Sequence, residues 1–242
     1  MHSKLQAALC LTYPPVAVYK THQPPEGSLT APEGSHGCVI ALLAAAAKGK
    51  TAAFQETTVG CLGGKAGLGF APLKPGFMSD FLSTGNDARP GMRYKETPAL
   101  ADDYIHSLPH TPPPEWLVFQ PLDQVAETVN PLAVVFQLSG LITLANYDRP
   151  TQDNVKVLFG AGCVQSILYS LCQEEAGGDT CYLGLTDPSA RLHIPPELLS
   201  FSLPYHRFLE LEGKVEESFL TTETWKRICH RISRKLELGY PR

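Results

Sequence analysis

Two apolar segments, each preceded by a glycine-rich turn that carries a cysteine, dominate the hydrophobic pattern of the chain. In residues 164–172 the apolar side chains recur at helical spacing, and the alanine-rich run 39–48 is similar. Both segments are therefore predicted to be helices. The turns before them hold Cys163 and Cys38, so both cysteines are predicted to stand at helix starts. The partial positive charge of a helix start favours a thiolate, which predicts that Cys163 ionises easily.

Each of these helices lies between two strand-like apolar runs, with a glycine break after the helix. The four runs are residues 16–19, 51–56, 132–137 and 180–186. We interpret this order as a diverged pseudo-repeat of approximately residues 15–70 and 131–195, with Cys38 and Cys163 in equivalent positions.

The predicted fold is α/β or α+β, with mixed sheet or sheets, flanking helices and two pseudo-repeated strand–helix–strand halves. A single domain of residues 1–242 is expected, closed by a C-terminal helical segment over 213–239. Residues 201–212 are predicted to form a strand. The basic residues of the last segment are predicted to form the solvated face of a helix.

Composition excludes several classes of protein. The chain has 242 residues and a net charge of −4, which offers no basic footprint for nucleic acid. No apolar run reaches the roughly 18 to 20 residues that span a bilayer, and the N-terminal residues lack a signal-peptide pattern. Seven cysteines, an odd number without compact disulfide spacing, fit a reducing compartment. We therefore predict a soluble, cytoplasmic protein that binds neither nucleic acid nor membrane.

Cysteines follow glycines more often than chance allows. Seven cysteines and 20 glycines predict about 0.6 Gly-Cys pairs, whereas the chain has three, at Cys38, Cys61 and Cys163. The other four lie in apolar segments and are predicted to be mostly buried, as small core residues. These four are Cys10, Cys172, Cys181 and Cys229.

Several motifs together resemble one family over essentially the whole chain. They are Pro15-Val-Ala-Val18, Gly60-Cys-Leu-Gly-Gly64, Leu144-Ala-Asn-Tyr147, Phe159-Gly-Ala-Gly-Cys163, Leu203-Pro-Tyr-His-Arg-Phe208 and the run 215–225. The chain resembles the uncharacterised ArCR family, domain-of-unknown-function family 169. This resemblance implies membership and no activity, so function has to be inferred from the site.

The three Gly-Cys cysteines suit an iron–sulfur cluster. Such a cluster needs thiolate ligands and gains from backbone N–H donors to its sulfides, which glycine turns supply. We predict that Cys38, Cys61 and Cys163 hold one [4Fe–4S] cluster, whose fourth iron is open to His36, water or a substrate. Glycines beside these cysteines are predicted to line the cofactor site; they are Gly37, Gly60, Gly63, Gly64 and Gly162. A structural zinc site is less suitable, because no two cysteines form a C-x2-C pair.

Two other functions stay open at this point. Cys163 could act as a nucleophile activated by its helix start and by His193 or His36. Alternatively, the glycines permit tight packing, the cysteines are inert and the chain is a small-molecule binding module without metal. The predicted partners are a small-molecule ligand or a redox partner, and the oligomeric state is not determined. A polar segment with Asp187, Arg191 and His193 aligns near the Cys61 loop and would then lie close to the site, although an Asp-Pro turn followed by a surface strand is the favoured interpretation.

Overall fold

A computed structural model describes residues 3–11, 13–137, 144–145, 147–148, 154–159, 163–188, 192–195 and 198–237. The helices are α1 Lys4–Ala8, α2 Val39–Ala46, α3 Leu62–Gly67, α4 Phe77–Leu82, α5 Pro98–Ser107, α6 Gln165–Ala176, α7 Tyr205–Gly213 and α8 Glu223–Glu237. The strands are β1 Val16–Thr21, β2 Ala52–Phe54, β3 Gly85–Asn86, β4 Arg89–Pro90, β5 Trp116–Pro121, β6 Ala133–Gln137, β7 Val155–Val157, β8 Cys181–Gly184 and β9 Ser200–Pro204.

The fold is mixed α/β, as the sequence predicts. A seven-stranded sheet has the order β2-β5-β1-β6-β9-β8-β7, and β3 pairs with β4 in a small separate ribbon. All neighbours in the large sheet are antiparallel except β7 and β8, which are parallel. The central pair β1–β6 is centred on Ala17 opposite Val134. From that pair outward, the strands run β1-β5-β2 on one side and β6-β9-β8 on the other. This order is compatible with the pseudo-repeat, which stays a prediction.

Alternation along the strands creates two packed faces. Val16 and Val18 of β1 belong to one apolar cluster, whereas Ala17 and Tyr19 belong to the other, since successive side chains point to opposite sides of a sheet. Helices α2 and α6 pack on the Val16 side, which we call the cysteine face, and α7 packs on the opposite face. Both helices that follow Gly-Cys turns therefore cover the same side of the sheet.

A small third cluster extends the cysteine face beyond the sheet. It consists mainly of apolar residues of α4 and α5, with Ala66 of α3 and Tyr169 of α6 packed into it. The hydroxyl of Tyr104 donates to the side-chain oxygen of Gln165 at 2.6 Å, at the first residue of α6. These contacts fix α3 against the N-terminal end of α6.

A buried arginine organises the opposite face. Arg207 of α7 is fully buried and donates to both carboxylate oxygens of Asp148, at 3.0 and 2.7 Å. It also donates to Glu210 at 2.6 Å and to the carbonyl of Ala145 at 2.9 Å. Burial opposes the guanidinium charge, but the hydrogen bonds to Asp148 and Glu210 outweigh it and raise the pKa of Arg207.

Helix α7 begins directly after β9, which ends at Pro204. The strand predicted over 201–212 is therefore correct up to Pro204 and wrong after it.

Candidate functional site

All three Gly-Cys cysteines lie at helix starts. Cys38 is the residue that caps α2, and Cys61 caps α3. Cys163 lies one residue earlier, since the cap of α6 is Val164, which has a left-handed backbone with φ of 50°. The structure thus confirms the helix start predicted at Cys38 and moves that of α6 by one residue. It also shows a short helix after Cys61, where the glycine-rich sequence predicted a loop.

The loop before α2 packs directly on the loop before α3. A Cβ on Gly60 would overlap the carbonyl oxygen of Ser35 and lie 3.1 Å from the Cα of His36. A Cβ on Gly37 would overlap the carbonyl oxygen of Thr58, and the φ of Gly37 is +53°. These two glycines are therefore required for backbone-to-backbone contact. They bring the segment that carries Cys38 against the segment that carries Cys61.

Helix α3 is in turn packed against the turn that carries Cys163. A Cβ on Gly67 would overlap the carbonyl oxygen of Cys163 and lie 3.0 Å from a methyl group of Val164. One turn earlier in α3, a Cβ on Gly64 would lie 2.7 Å from a methyl group of Val39. Gly67 was not among the predicted site glycines, although it belongs to the same glycine-rich run. All three cysteine-bearing segments consequently meet around α3.

Cys61 and Cys163 interact directly. Their thiols are linked by a side-chain hydrogen bond. The sulfur of Cys61 also accepts backbone N–H bonds from Gly63 and from Gly64, the latter at 3.4 Å. The sulfur of Cys163 lies 3.2 Å from Oδ2 of Asp187, whose side chain is buried with 2% exposed. A thiol pair is therefore held between two amide donors and one carboxylate.

The two thiols have opposite acidities. The hydrogen bond from Cys163, assisted by the two glycine amides and the charge of His36, outweighs burial and lowers the pKa of Cys61 to about 6. The same hydrogen bond, together with burial and the negative charge of Asp187, strongly raises the pKa of Cys163. These directions favour Cys61 as the ionised thiol of the pair, opposite to the sequence-based expectation for Cys163.

The remaining predicted residues are distributed as follows. Cys38 is half-buried and packs against the same apolar cluster as Cys163. His36 acts on Cys61 through its charge. His193 lines an apolar cleft of about 200 Å³ that also includes Leu43 of α2. Gly162 lies outside the described residues.

In the part of the chain that the structure describes, no group of three or more His, Cys, Asp or Glu side chains is arranged to hold a metal ion. Two of the proposed ligands are hydrogen-bonded to each other, as thiols without metal can be. Asp187, whose segment was expected to lie close to the site, is a neighbour of Cys163, whereas Arg191 lies outside the described residues. The sequence feature that pointed to Asp187 as a site residue was the pseudo-repeat, which aligns its segment near the Cys61 loop.

The burial predicted for the other cysteines is only partly correct. Cys181 is buried, as expected, but Cys10, Cys172 and Cys229 are half-buried. Burial therefore does not separate these four from the Gly-Cys cysteines, which are half-buried as well.

A family model described as the uncharacterised ArCR family, domain-of-unknown-function family 169, matches residues 4–214. The comparisons with curated proteins and with solved structures find no match. None of the described helices is long and apolar enough to cross a bilayer.

Proposed function

The chain belongs to the uncharacterised ArCR family, which has no assigned activity, and we propose from the site that it binds a [4Fe–4S] cluster through Cys38, Cys61 and Cys163. The observation that carries this proposal is the meeting of three Gly-Cys segments around α3, with Cys61 and Cys163 in side-chain contact. Backbone contacts through Gly37 and Gly60 bring the third segment to the same place.

The chemistry of the donor set supports a cluster. Iron–sulfur clusters bind thiolates, and the lowered pKa of Cys61 makes its thiolate the predominant form at neutral pH. Amide N–H groups of Gly63 and Gly64 already point at that sulfur, and such donors stabilise the negative charge of a thiolate-ligated cluster. Metal displaces protons from its thiol ligands, so iron would replace the proton now shared by Cys61 and Cys163.

Three cysteines leave one iron of a cubane without a cysteine ligand. His36 is the nearby side chain that the sequence predicts for this position, and its charge acts on Cys61. A cluster of this kind supplies electron transfer or an iron that binds a small molecule. The open iron would therefore bind a small anionic ligand such as cyanide, with a change in the visible spectrum.

The test is to purify the full chain without oxygen and to measure iron, acid-labile sulfide and the visible spectrum. We expect about four iron atoms per chain and a brown colour. Reconstitution with ferrous iron and sulfide should restore the same content after loss in air. A folded chain, checked by circular dichroism, that retains no iron after anaerobic reconstitution would overturn the proposal.

Thiol chemistry at Cys61 is a second candidate function. It is favoured by one observation, the lowered pKa of Cys61 beside a protonated Cys163. In this alternative Cys61 is the nucleophile and Cys163 is the proton donor. The sequence alone instead indicates Cys163 as the candidate nucleophile. A colourless protein whose Cys61 is alkylated rapidly at pH 7 and forms a covalent adduct with a substrate would favour this function over a cluster.

Small-molecule binding without metal stays a prediction as well. The cleft of about 200 Å³ on the cysteine face is mostly apolar, with Lys48 and His193 among its lining residues. It is large enough for part of a small organic ligand.

A further inference from the structure

A second cysteine pair joins the two ends of the chain. The thiols of Cys10, just after α1, and Cys229, in α8, are linked by a side-chain hydrogen bond. The sulfur of Cys229 also lies 3.6 Å from the carbonyl oxygen of Ala8. The same carbonyl accepts a hydrogen bond from the indole nitrogen of Trp225 at 2.6 Å. Three polar contacts therefore meet at the end of α1.

The N-terminal side of this junction is firmly held. The carboxylate of Glu212 accepts hydrogen bonds from the hydroxyl of Ser3 at 3.0 Å and from the backbone of Leu5 at 3.3 Å. Leu5 and Leu9 are fully buried in the core of the opposite face. Cys10 follows directly with a left-handed φ of 53°, which is uncommon for a residue that has a Cβ. Its position is thus set by the packing of its neighbours.

Helix α8 is held much more loosely. Among its described side chains only Trp225, Cys229 and Ile232 are partly covered, and the others are exposed. These three residues are spaced four and then three positions apart, so they form one narrow stripe on the helix. The family match ends at residue 214, before this helix. Among the described side chains of α8, Cys229 is therefore the middle residue of the partly covered stripe.

Helix α8 also differs in charge from the rest of the chain. It contains five Lys or Arg and two Asp or Glu, whereas all other residues together contain 15 basic and 22 acidic ones. Its basic side chains are exposed. A covalent link at Cys229 would therefore fix a positively charged helix on a negatively charged body.

We propose that Cys10 and Cys229 are a redox modification site, which a peroxide converts to a reversible disulfide that fastens α8 to α1. One thiolate attacks the peroxide oxygen to give a sulfenic acid and hydroxide, or an alkoxide from an organic peroxide. The second thiol attacks that sulfur, the S–S bond forms and water leaves. Two thiols lose two electrons and two protons, and the peroxide is reduced. A dithiol such as dithiothreitol returns both thiols by exchange.

Among the four cysteines outside the proposed cluster site, the geometry selects this pair. Cys181 is buried, and the sulfur of Cys172 lies 3.9 Å from the backbone carbonyl oxygen of His110. Cys10 and Cys229 are half-buried and in contact, and Cys229 lies in a helix whose other described side chains are mostly exposed. Neither belongs to the proposed cluster site, so this inference stands independently of the cluster.

The test uses the full chain exposed to hydrogen peroxide in small molar excess, followed by tryptic digestion without reductant and mass spectrometry. We expect a linked species that joins peptide 5–20 to peptide 228–231, lighter by two hydrogens than the sum of its parts. It should disappear after dithiothreitol. Hydrogen exchange across residues 223–237 should slow in the oxidised protein and recover on reduction.

Matched variants make the result decisive. Cys10→Ser and Cys229→Ser should each lose the linked species and the change in hydrogen exchange, whereas Cys172→Ser should retain both. The proposal is overturned if peroxide takes Cys10 and Cys229 to sulfinic or sulfonic acids without a link. It is also overturned if the link joins two molecules, seen as a dimer on a non-reducing gel.

Discussion

The two cysteine pairs of this protein each bring two thiols into contact, but the pKa of Cys61 is lowered in one pair and that of Cys229 is raised in the other. In each pair a hydrogen bond joins two half-buried thiols that lie far apart in the sequence. At the cysteine face, Cys61 accepts this bond together with two glycine N–H bonds, and its pKa falls to about 6. At the chain ends, burial and then the hydrogen bond to Cys10 raise the pKa of Cys229 to about 12.

The difference shows how the backbone assigns roles to identical side chains. Glycine-rich turns expose amide N–H groups that favour a thiolate, which is the form that metals and electrophiles require. The thiol of Cys229 instead lies beside the carbonyl oxygen of Ala8, which offers a hydrogen-bond acceptor and no donor. The first pair is therefore suited to bind a cofactor, whereas in the second pair Cys229 stays protonated at neutral pH.

The largest effect that would test this comparison is loss of the proposed cluster. Replacement of Cys38, Cys61 or Cys163 by serine should abolish most of the iron content and visible absorption, because a serine oxygen is a poor substitute for a cluster thiolate. Cys10→Ser and Cys229→Ser should leave both unchanged. Iron analysis and absorption of anaerobically purified variants measure this. Retention of iron by Cys61→Ser, or its loss from Cys229→Ser, would break the division between the two pairs.

The next effect concerns reactivity in the metal-free protein. At pH 7 the pH is above the pKa of Cys61 and far below that of Cys229. Iodoacetamide should therefore modify Cys61 at least about a hundredfold faster than Cys229. The rate at Cys61 should rise through about pH 6 and then level off. Peptide mass spectrometry across pH 5 to about 9 follows both sites, and faster modification of Cys229 at pH 7 would contradict the assignment.

A smaller effect is expected from the packing around α3. Gly67→Ala places a methyl group against the carbonyl of Cys163, so the chain should lose about 1–3 kcal/mol of stability and a part of its iron. Gly213→Ala is the matched control, because a Cβ there meets no atom within 4 Å and lies at the end of α7. That control should change stability by less than about 1 kcal/mol. Urea denaturation gives the stabilities, and equal effects of the two variants would refute the close approach.

The smallest effect is electrostatic. His36→Gln removes a charge that lowers the pKa of Cys61, so the midpoint of its alkylation profile should move up by less than about one pH unit. His193→Gln is the control and should leave the midpoint in place. A downward shift in His36→Gln would show that this histidine does not assist the thiolate.

Local patterns made much of the fold predictable. The spacing of apolar residues identified α2 and α6, and the Gly-Cys excess identified the segments that meet around α3. The strand predicted over 201–212 was partly wrong because Phe208 and Leu211 are apolar positions of a helix that starts after Pro204. An apolar pattern in a short run does not distinguish a strand from a buried helical turn.

The contacts within the site were harder to predict. The hydrogen bond between Cys61 and Cys163 depends on how two distant turns approach each other, and local sequence contains no measure of that approach. The choice of Cys61 over Cys163 as the ionised thiol depends on which of them receives the N–H bonds of Gly63 and Gly64. The half-burial of Cys10 and Cys229 likewise follows from the docking of one chain end on the other.

The position of β1 has a consequence for how the protein is made. Both neighbours of β1 in the sheet, β5 and β6, are encoded after residue 115, so β1 has no partner while the first hundred residues leave the ribosome. Cys38 and Cys61 therefore emerge on a nascent chain whose sheet does not yet exist. Pairing over such sequence distances is slow, which extends this exposed period. Binding of the proposed cluster would consequently follow translation past Cys163, when the sheet can hold all three turns together.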